Sequence, residues 1–406
     1  MANFARFKPQ SHMTEHNIPI TKPVFGPEEE EAVVAVLRSG WVVQGQKVAE
    51  FERKFSRFTQ APFSVASSNC TTALHISVAA LGLKPGDEVI VPAFTWISTA
   101  NVVEYMGARP VFCDIDLNTF NIDVTQIEAL VTPRTVGIIP VHLFGLCADM
   151  TAIMDIARRH HLWVIEDAAC AFGAWYYGQH AGTFGDTGCF SFHPRKSITT
   201  GEGGMITTAR EDIDSLSRTL RDHGASRSDF ARHENKVSFL LAEYNHLGYN
   251  FRMTDLQGAL GVVQMDRAAG ILAERTRIAA NYDAQLANIG WLQTPRVPAG
   301  YVHGYQAYVC LFCSESPNLS NVDRLHEQRN ELMSRLEAQG IATRQGTHAP
   351  IALGYYAEKY RLRPKQFPNA YLADRLSLTL PVYTQMTEAE QAFILQSLNL
   401  EGEAQV

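Results

Sequence analysis

Cysteine is scarce: seven in 406 residues, an odd number that cannot pair completely within the chain. That is not a disulfide-stapled secreted scaffold, and a reduced, cytoplasmic protein is expected. Long apolar runs are missing as well. GIIPVHLFGL is broken by Pro, His and Gly and falls far short of a bilayer span. The opening MANFARFKPQSHMTEHN is polar and has no apolar stretch of the secretory kind. Positive charge is not in excess, with 35 Lys+Arg against 42 Asp+Glu and a formal net charge of −7. Neither nucleic acid nor a membrane is therefore an expected partner. Charged residues make up only 19%, which argues against a coiled-coil or disordered chain.

Several motifs are absent too. No G-x-G-x-x-G follows a strand pattern and no G-x-x-x-x-G-K-[ST] occurs, so dinucleotide-fold and P-loop readings fall. Cys310-Leu-Phe-Cys313 has no second C-x-x-C and lies in an alternating strand pattern. A structural pair is expected there rather than zinc or redox chemistry. His160 and His161 close a helix, where they suit its dipole, and no metal role is read.

What is present is core-forming sequence, 46% hydrophobic, enough for two or three domains. PEEEEAVVAVLRSG predicts a helix with Val33, Val36 and Leu37 on its apolar face, and a second is predicted from Thr71 to Leu81. Short apolar runs then alternate with helical patterns: 88–92, 110–116, 136–142, 162–167, 188–193 and 204–208. Continuous apolar strands separated by helices predict parallel pairing buried on both faces, an α/β sheet domain. From about residue 268 the pattern loosens. A long helix leaves the sheet, YQAYVCLFC alternates like a half-exposed strand, and an amphipathic helix ends at Gly340. The expected division is an N-terminal arm (1–26), a large α/β domain with a mostly parallel sheet (27–267) and a smaller C-terminal α+β domain (268–406).

Ligands of open parallel sheets bind beyond the carboxyl ends of the strands, so the residues there are the candidates. After FSVAS come Ser67, Ser68, Asn69, Cys70, Thr71 and Thr72, opening a helix. Such hydroxyls and free N–H groups suit an anion, although the same residues also make a plain N-cap. Trp96 follows the second strand, where it could stack on a flat ring or simply pack. Asp167 ends an apolar strand, and an unpaired buried carboxylate costs several kcal/mol. A protonated ring nitrogen would justify it; a surface salt bridge is the simpler alternative. Lys196 follows Ser191 and precedes a glycine-rich turn, where a lysine can be a Schiff-base nucleophile or an ordinary solvated side chain. Together, phosphate cradle, aromatic lid, acid and lysine are the set that pyridoxal phosphate chemistry needs.

The runs RSGWVVQGQKVAEFE, SNCTTALH, LKPGDEVIVPAFTWISTAN, VIEDAA, GTFGDTGCFSFHPRKSITTGEGGM and LGYNFRMTDLQGALG occur in this order. With them the chain resembles the nucleotide-sugar aminotransferases, the DegT-type branch of the fold-type-I pyridoxal phosphate enzymes, from about Ile18 to Leu398. The resemblance implies that Lys196 is the Schiff-base lysine and that Asp167 pairs with the pyridine nitrogen. It puts Trp96 over the ring, and Cys70, Thr71, Thr72 and Ser191 at the phosphate. It also implies a homodimer with shared active sites, in which Asn250 of the G-Y-N-x-R run reaches the neighbour's phosphate.

Two positions depart from the family. Cys170 stands near the ring hydroxyl where many members have Gln or His, and Phe172 where many have His. Relatives with His in place of the lysine carry out dehydration, and Lys196 disfavours that outcome. The implied reaction moves an amino group from an amino acid, by resemblance glutamate, to a keto-sugar nucleotide, by family frequency a 4-keto-6-deoxy hexose. Arg344 and His348 are the candidate substrate contacts. A cyclitol ketone or other free keto-sugar is the alternative acceptor, and a non-catalytic cofactor-binding regulator is the alternative of another class.

Overall fold

The strands at the centre of this protein are short runs of Val, Ile and Phe whose two faces are both covered. In β2 (Glu88–Pro92), Val89 and Val91 belong to one apolar cluster and Ile90 to another on the opposite side. Successive side chains alternate in a strand, so only a sheet sandwiched between layers tolerates an unbroken apolar run. The computed structural model describes residues 17–225 and 243–403, with side chains to 401. Residues 1–16 of the expected arm lie outside the described residues.

Seven strands form the main sheet: β1 (Phe63–Ser67), β2, β3 (Arg109–Cys113), β4 (Thr135–Ile138), β5 (Trp163–Asp167), β8 (Thr187–Ser191) and β9 (Gly204–Thr208). Between β5 and β8 lie two-residue strands, β6 (Trp175–Tyr176) and β7 (Gln179–His180). The order across the main sheet is β1-β9-β8-β5-β4-β2-β3. Neighbours from β8 to β3 are parallel, whereas β9 runs antiparallel to both β1 and β8. The mostly parallel sheet is thus as expected, with one reversed strand. The physical reason is the connection between β8 and β9, which turns back without a crossover helix.

The helix predicted over Thr71–Leu81 runs Cys70–Ala80, with Gly82 in the left-handed region at φ 76°. The helix Pro27–Ser39 buries Val36 but leaves Leu37 exposed. The helix Gln46–Thr59 lies against the long helix Asp255–Leu286. Their closeness has a cause in LQGALG: a Cβ on Gly258 would stand 2.6 Å from the Val48 backbone nitrogen, and one on Gly261 2.7 Å from the Phe51 ring. Asp255 locks the pair by accepting from the N–H groups of Gly45 (2.8 Å), Val48 (3.0 Å) and Lys47 (3.2 Å), an N-cap supplied from another helix.

The long helix continues unbroken past residue 268 to a three-stranded sheet whose order is β10 (Leu292–Gln293), β12 (Tyr308–Phe312), β13 (Ser377–Leu380). β11 (Tyr301–Val302) instead pairs with β6. The helices Val322–Ala338, Pro368–Leu376 and Glu388–Glu403 complete this part. The half-exposed strand read in YQAYVCLFC is corrected here: all five residues of β12 are buried. The Tyr282 ring of the long helix lies 4.9 Å from Tyr308, and the helix Pro368–Leu376 also packs on the strand, so neither face meets solvent. Cys310 and Cys313 are free thiols. Among the described residues no helix is long and apolar enough to cross a membrane.

Candidate active site

Three strand ends converge. β1 ends at Ser67, and Asn69 caps the helix Cys70–Ala80 by accepting the Thr72 N–H over 2.9 Å, while Thr72 Oγ1 accepts the Asn69 N–H over 3.1 Å. The first amides of the helix, at Cys70 and Thr71, have no intrahelical acceptor and face outward with the dipole's positive end. Thr71 Oγ1 lies 2.9 Å from Ser98 Oγ at the start of the helix Ser98–Tyr105, so two helix N-termini meet. Gly204 permits this packing, since a Cβ there would stand 2.3 Å from the Asn69 carbonyl. The result is an anion cradle.

Asp167 and its neighbour Glu166 point to opposite faces of β5, and their surroundings differ. Glu166 accepts from the N–H groups of Gly182, Phe184 and Gly185, each over 2.7 Å, and pairs with His142 Nε2 at 2.8 Å. The Ala148 N–H donates to His142 Nδ1 over 3.0 Å, which assigns the ring proton to Nε2. Glu166 is fully satisfied. Asp167 accepts only the Thr99 hydroxyl, at 2.7 Å, and the Ala169 N–H, at 3.2 Å. Burial pushes its carboxyl above the ordinary value, opposed by Thr99, Ala169 and nearby Lys196. A carboxylate has about four acceptor positions, so Asp167 keeps capacity for a cation.

Lys196 lies in the connection between β8 and β9. Thr199 Oγ1 and the Thr200 N–H both donate to the Phe192 carbonyl, over 2.7 and 3.0 Å, and pin that connection. The half-buried Lys196 donates from Nζ to Cys170 Sγ over 3.1 Å. Burial lowers its pKa, yet Cys170 and Asp167 oppose burial and it stays above the usual lysine value. Burial, with Asp167 beside it, drives the Cys70 thiol far up, so Cys70 is a neutral thiol that offers its backbone N–H. Ser191 ends β8, half-buried, its Oγ accepting the His193 N–H at 3.4 Å.

Trp96 is 59% exposed at the cleft mouth, its ring 6.0 Å from that of His348. The Thr95 N–H donates to the His348 carbonyl over 2.9 Å, binding the 344–348 segment to the strand ends. Arg344 is exposed and pairs through its backbone with Thr379. Burial and the nearby Arg344 charge together hold the Arg195 guanidinium below its usual value, so both cations sit at one mouth.

The structure therefore brings together Cys70, Thr71, Thr72, Trp96, Asp167, Cys170, Ser191 and Lys196. Asn250 stands apart on the surface. Its backbone bridges to Asp222, while the next carbonyl, of Phe251, accepts the Ser68 N–H over 2.8 Å. Phe172 is not at the cleft. It stacks on Phe58 at 4.6 Å in the apolar layer behind the sheet, so its departure from histidine leaves the site's hydrogen bonding alone. Thr99 and Ser98 were not singled out by sequence reasoning. The signal available was the hydroxyl spacing of Thr95 and Thr99 in FTWIST, one helical turn apart.

An anion cradle, a buried acid with spare acceptor capacity and a lysine amine at parallel strand ends define the fold-type-I class of α/β enzymes. Residues 23–399 match the DegT/DnrJ/EryC1/StrS aminotransferase family, and the chain belongs to it. It is 37% identical over 384 residues to GDP-perosamine synthase of Caulobacter vibrioides, covering 94% of this chain and 97% of that one. It is 36% identical, over 94% of this chain and 96% of the relative, to the spore coat polysaccharide biosynthesis protein SpsC of Bacillus subtilis. Among solved structures, Spr1654 of Streptococcus pneumoniae in its PMP-form superposes with a TM-score of 0.88 at 29% identity, over 96% of this chain and all of that one. The aminotransferase from Psychrobacter cryohalolentis gives 0.85 at 32% identity, over 93% and 97% of the two chains. Enzymes of this family depend on pyridoxal phosphate, and the donor set described above fits that cofactor: cradle for phosphate, acid for ring nitrogen, amine for aldehyde.

Proposed function

We propose that this aminotransferase transfers an amino group from glutamate to a keto-sugar nucleotide, a 4-keto-6-deoxy hexose on a nucleoside diphosphate, for glycan or lipopolysaccharide biosynthesis in the cytoplasm. The observation that carries the catalytic part is the convergence of Lys196 and Asp167 on one cleft, the lysine amine 3.1 Å from Cys170, three residues beyond the acid. For the acceptor, support comes from the GDP-linked product in the name of the Caulobacter relative and from the exposed Arg195 and Arg344 at the mouth, which suit a diphosphate.

Bound pyridoxal phosphate supplies a carbonyl that condenses with amines and a ring that accepts the electron pair left by a departing proton. The amides of Cys70 and Thr71, with the hydroxyls of Thr71, Thr72 and Ser191, hold its phosphate. Asp167 keeps the ring nitrogen protonated. Trp96 covers the ring and excludes water. With the cofactor bound, Lys196 would supply the amine that holds it and the base that takes up and gives back the substrate's proton at Nζ. His348 and Arg344 orient the second substrate. Residues 27–267 form the cofactor domain and 268–406 the smaller domain, joined by the long helix.

We read the working unit as a homodimer with Asn250 completing the partner's phosphate site. Asn250 is exposed, and so are Tyr244 and Leu247 just before it in the chain, Leu247 at 91%. Apolar side chains that far into solvent suit a second copy. The acceptor is tested by incubating the holoenzyme and glutamate with a panel of nucleotide-linked and free ketones, read by product mass. Amination of free cyclitols or sugars alone would reject the nucleotide-linked reading. No conversion of bound cofactor to its amine form by glutamate would reject the donor.

A further inference from the structure

Two threonines one helical turn apart run a hydrogen-bonded line into the buried acid. Thr99 Oγ1 donates to Asp167 Oδ2 over 2.7 Å, and Thr95 Oγ1 lies 2.9 Å from Thr99 Oγ1. An ionised carboxylate only accepts. The single hydroxyl proton of Thr99 is thus committed to Asp167, and Thr95 must be the donor to Thr99. Thr99 has a second, longer acceptor in reach, the Trp96 carbonyl at 3.1 Å. Thr95 and Thr99 are 1% and 0% exposed, so water does not compete for them. Valine has the same shape and would fill these positions without the desolvation cost of a hydroxyl. Thr95 is fixed in turn by its N–H bond to the His348 carbonyl, 2.9 Å, at the proposed substrate end of the cleft.

We infer that Thr99, supported by Thr95, is the positioning residue of Asp167: it holds the carboxylate ionised and fixed in rotation for the cofactor's ring nitrogen. This rests on the reading of Asp167 as the ring-nitrogen acid. The line also joins that acid to the segment carrying His348, so occupancy at the cleft mouth and the state of the acid share one set of bonds.

The discriminating measurement compares affinity for pyridoxal phosphate with affinity for its 1-deaza analogue, which carries C–H where the ring nitrogen stands. Fluorescence titration of the cofactor-stripped full chain gives both constants. Thr99→Val is expected to weaken the natural cofactor at least about tenfold, the size of a hydrogen bond to a charged group, and to leave the analogue nearly unchanged. Thr99→Ser, which keeps the hydroxyl, is expected to restore most of the difference. Thr95→Val is expected to act in the same direction and less strongly. Equal losses for both molecules, or no rescue by serine, would reduce Thr99 to packing and overturn the inference. Asp167→Asn separates the two levels. If it discriminates between the molecules while Thr99→Val does not, only the threonine role falls. If Asp167→Asn itself does not discriminate, the acid has been misassigned and both readings fall.

Discussion

The Lys196 amine stands 3.1 Å from the sulfur of Cys170, so the connection after β8 is tied to the turn after β5. Those two strands are parallel neighbours, with Ile165 opposite Thr187 and Asp167 opposite Cys189. The acid thus ends one strand and the lysine sits in the pinned connection that follows its neighbour, so the sheet anchors both. The neighbours that hold Lys196 above its usual pKa favour its ammonium form, and in the proposed role a bound carbonyl would draw on the free amine.

Cys170 is where this arrangement is most easily tuned. A thiol is a weak hydrogen-bond donor, and the amide of glutamine a stronger one. Cys170→Gln is expected to retain the cofactor, change its affinity by no more than about tenfold, and shift the visible absorption of the lysine-bound form. Complete loss of cofactor binding would show that the side chain is not beside the ring hydroxyl.

Much of the site was legible because each residue follows an apolar run: Asp167 after VIE, Lys196 after GCFSFHPR, Trp96 after EVIVPAFT. Strand ends are where chemistry gathers, and apolar runs locate them. What stayed hidden depended on pairing partners. The reversal of β9 is set by its neighbours β1 and β8, and GMITT reads the same in either direction. β12 alternates in sequence, yet long-range packing buries both of its faces. Phe172 sits two residues past Cys170, near the site in sequence and behind the sheet in space. The Thr99–Asp167 bond spans 68 residues, beyond any local pattern.

The second prediction concerns acid sensitivity. His180 is fully buried, its Nε2 accepting the Gly173 N–H over 3.1 Å and its Nδ1 facing the Ala181 carbonyl at 2.6 Å. Burial lowers its pKa to about 4 from an ordinary value of 6.5. Above the ordinary value both states are neutral and the group is silent. Below it the unfolded chain binds a proton that the native state refuses, so stability falls between about pH 6.5 and 4 and then levels. The loss is of the order of 3 kcal/mol at full extent. His180→Gln should flatten that part of the acid limb in urea unfolding measured from pH 7.5 to 5. An unchanged limb would place the acid sensitivity elsewhere.

A third prediction tests the helix pair that carries the site's flank. Asp255→Ala removes the acceptor of three backbone N–H groups at the start of the helix Gln46–Thr59. Leaving them unpaired is expected to cost about 2–4 kcal/mol. Urea unfolding should show a lower midpoint with an unchanged slope, the sign of lost stability rather than of an altered unfolded state. A midpoint within error of the wild type would mean that water replaces the carboxylate.

Shared sites make a prediction of their own. In the proposed dimer Asn250→Glu would place an acid beside the partner's phosphate and should weaken cofactor binding there. A heterodimer of this variant with Lys196→Ala should regain one intact site, and so a fraction of wild-type turnover that neither parent shows. Native mass spectrometry establishes that heterodimers form. Heterodimers without regained turnover would count against a site built from two chains.

The last prediction rests on Lys196 itself. Its Nζ donates to the Cys170 sulfur, and the acid at the end of β5 is among the groups that raise its pKa. Purified enzyme should show the visible absorption of a lysine-bound cofactor, and borohydride should fix the cofactor to the peptide containing Lys196. In Lys196→Ala the cradle at Cys70 and Thr71 and the acid at Asp167 are untouched, so the pyridoxamine form should still bind. Turnover should fall by at least about 10²–10⁴-fold, because the side chain that moves the proton is gone. Added ethylamine, a soluble amine of similar basicity, should restore part of the single-turnover rate in proportion to its concentration, whereas a merely structural lysine would not respond. Borohydride labelling of a different lysine, or near-normal turnover in the alanine variant, would remove Lys196 from the reaction.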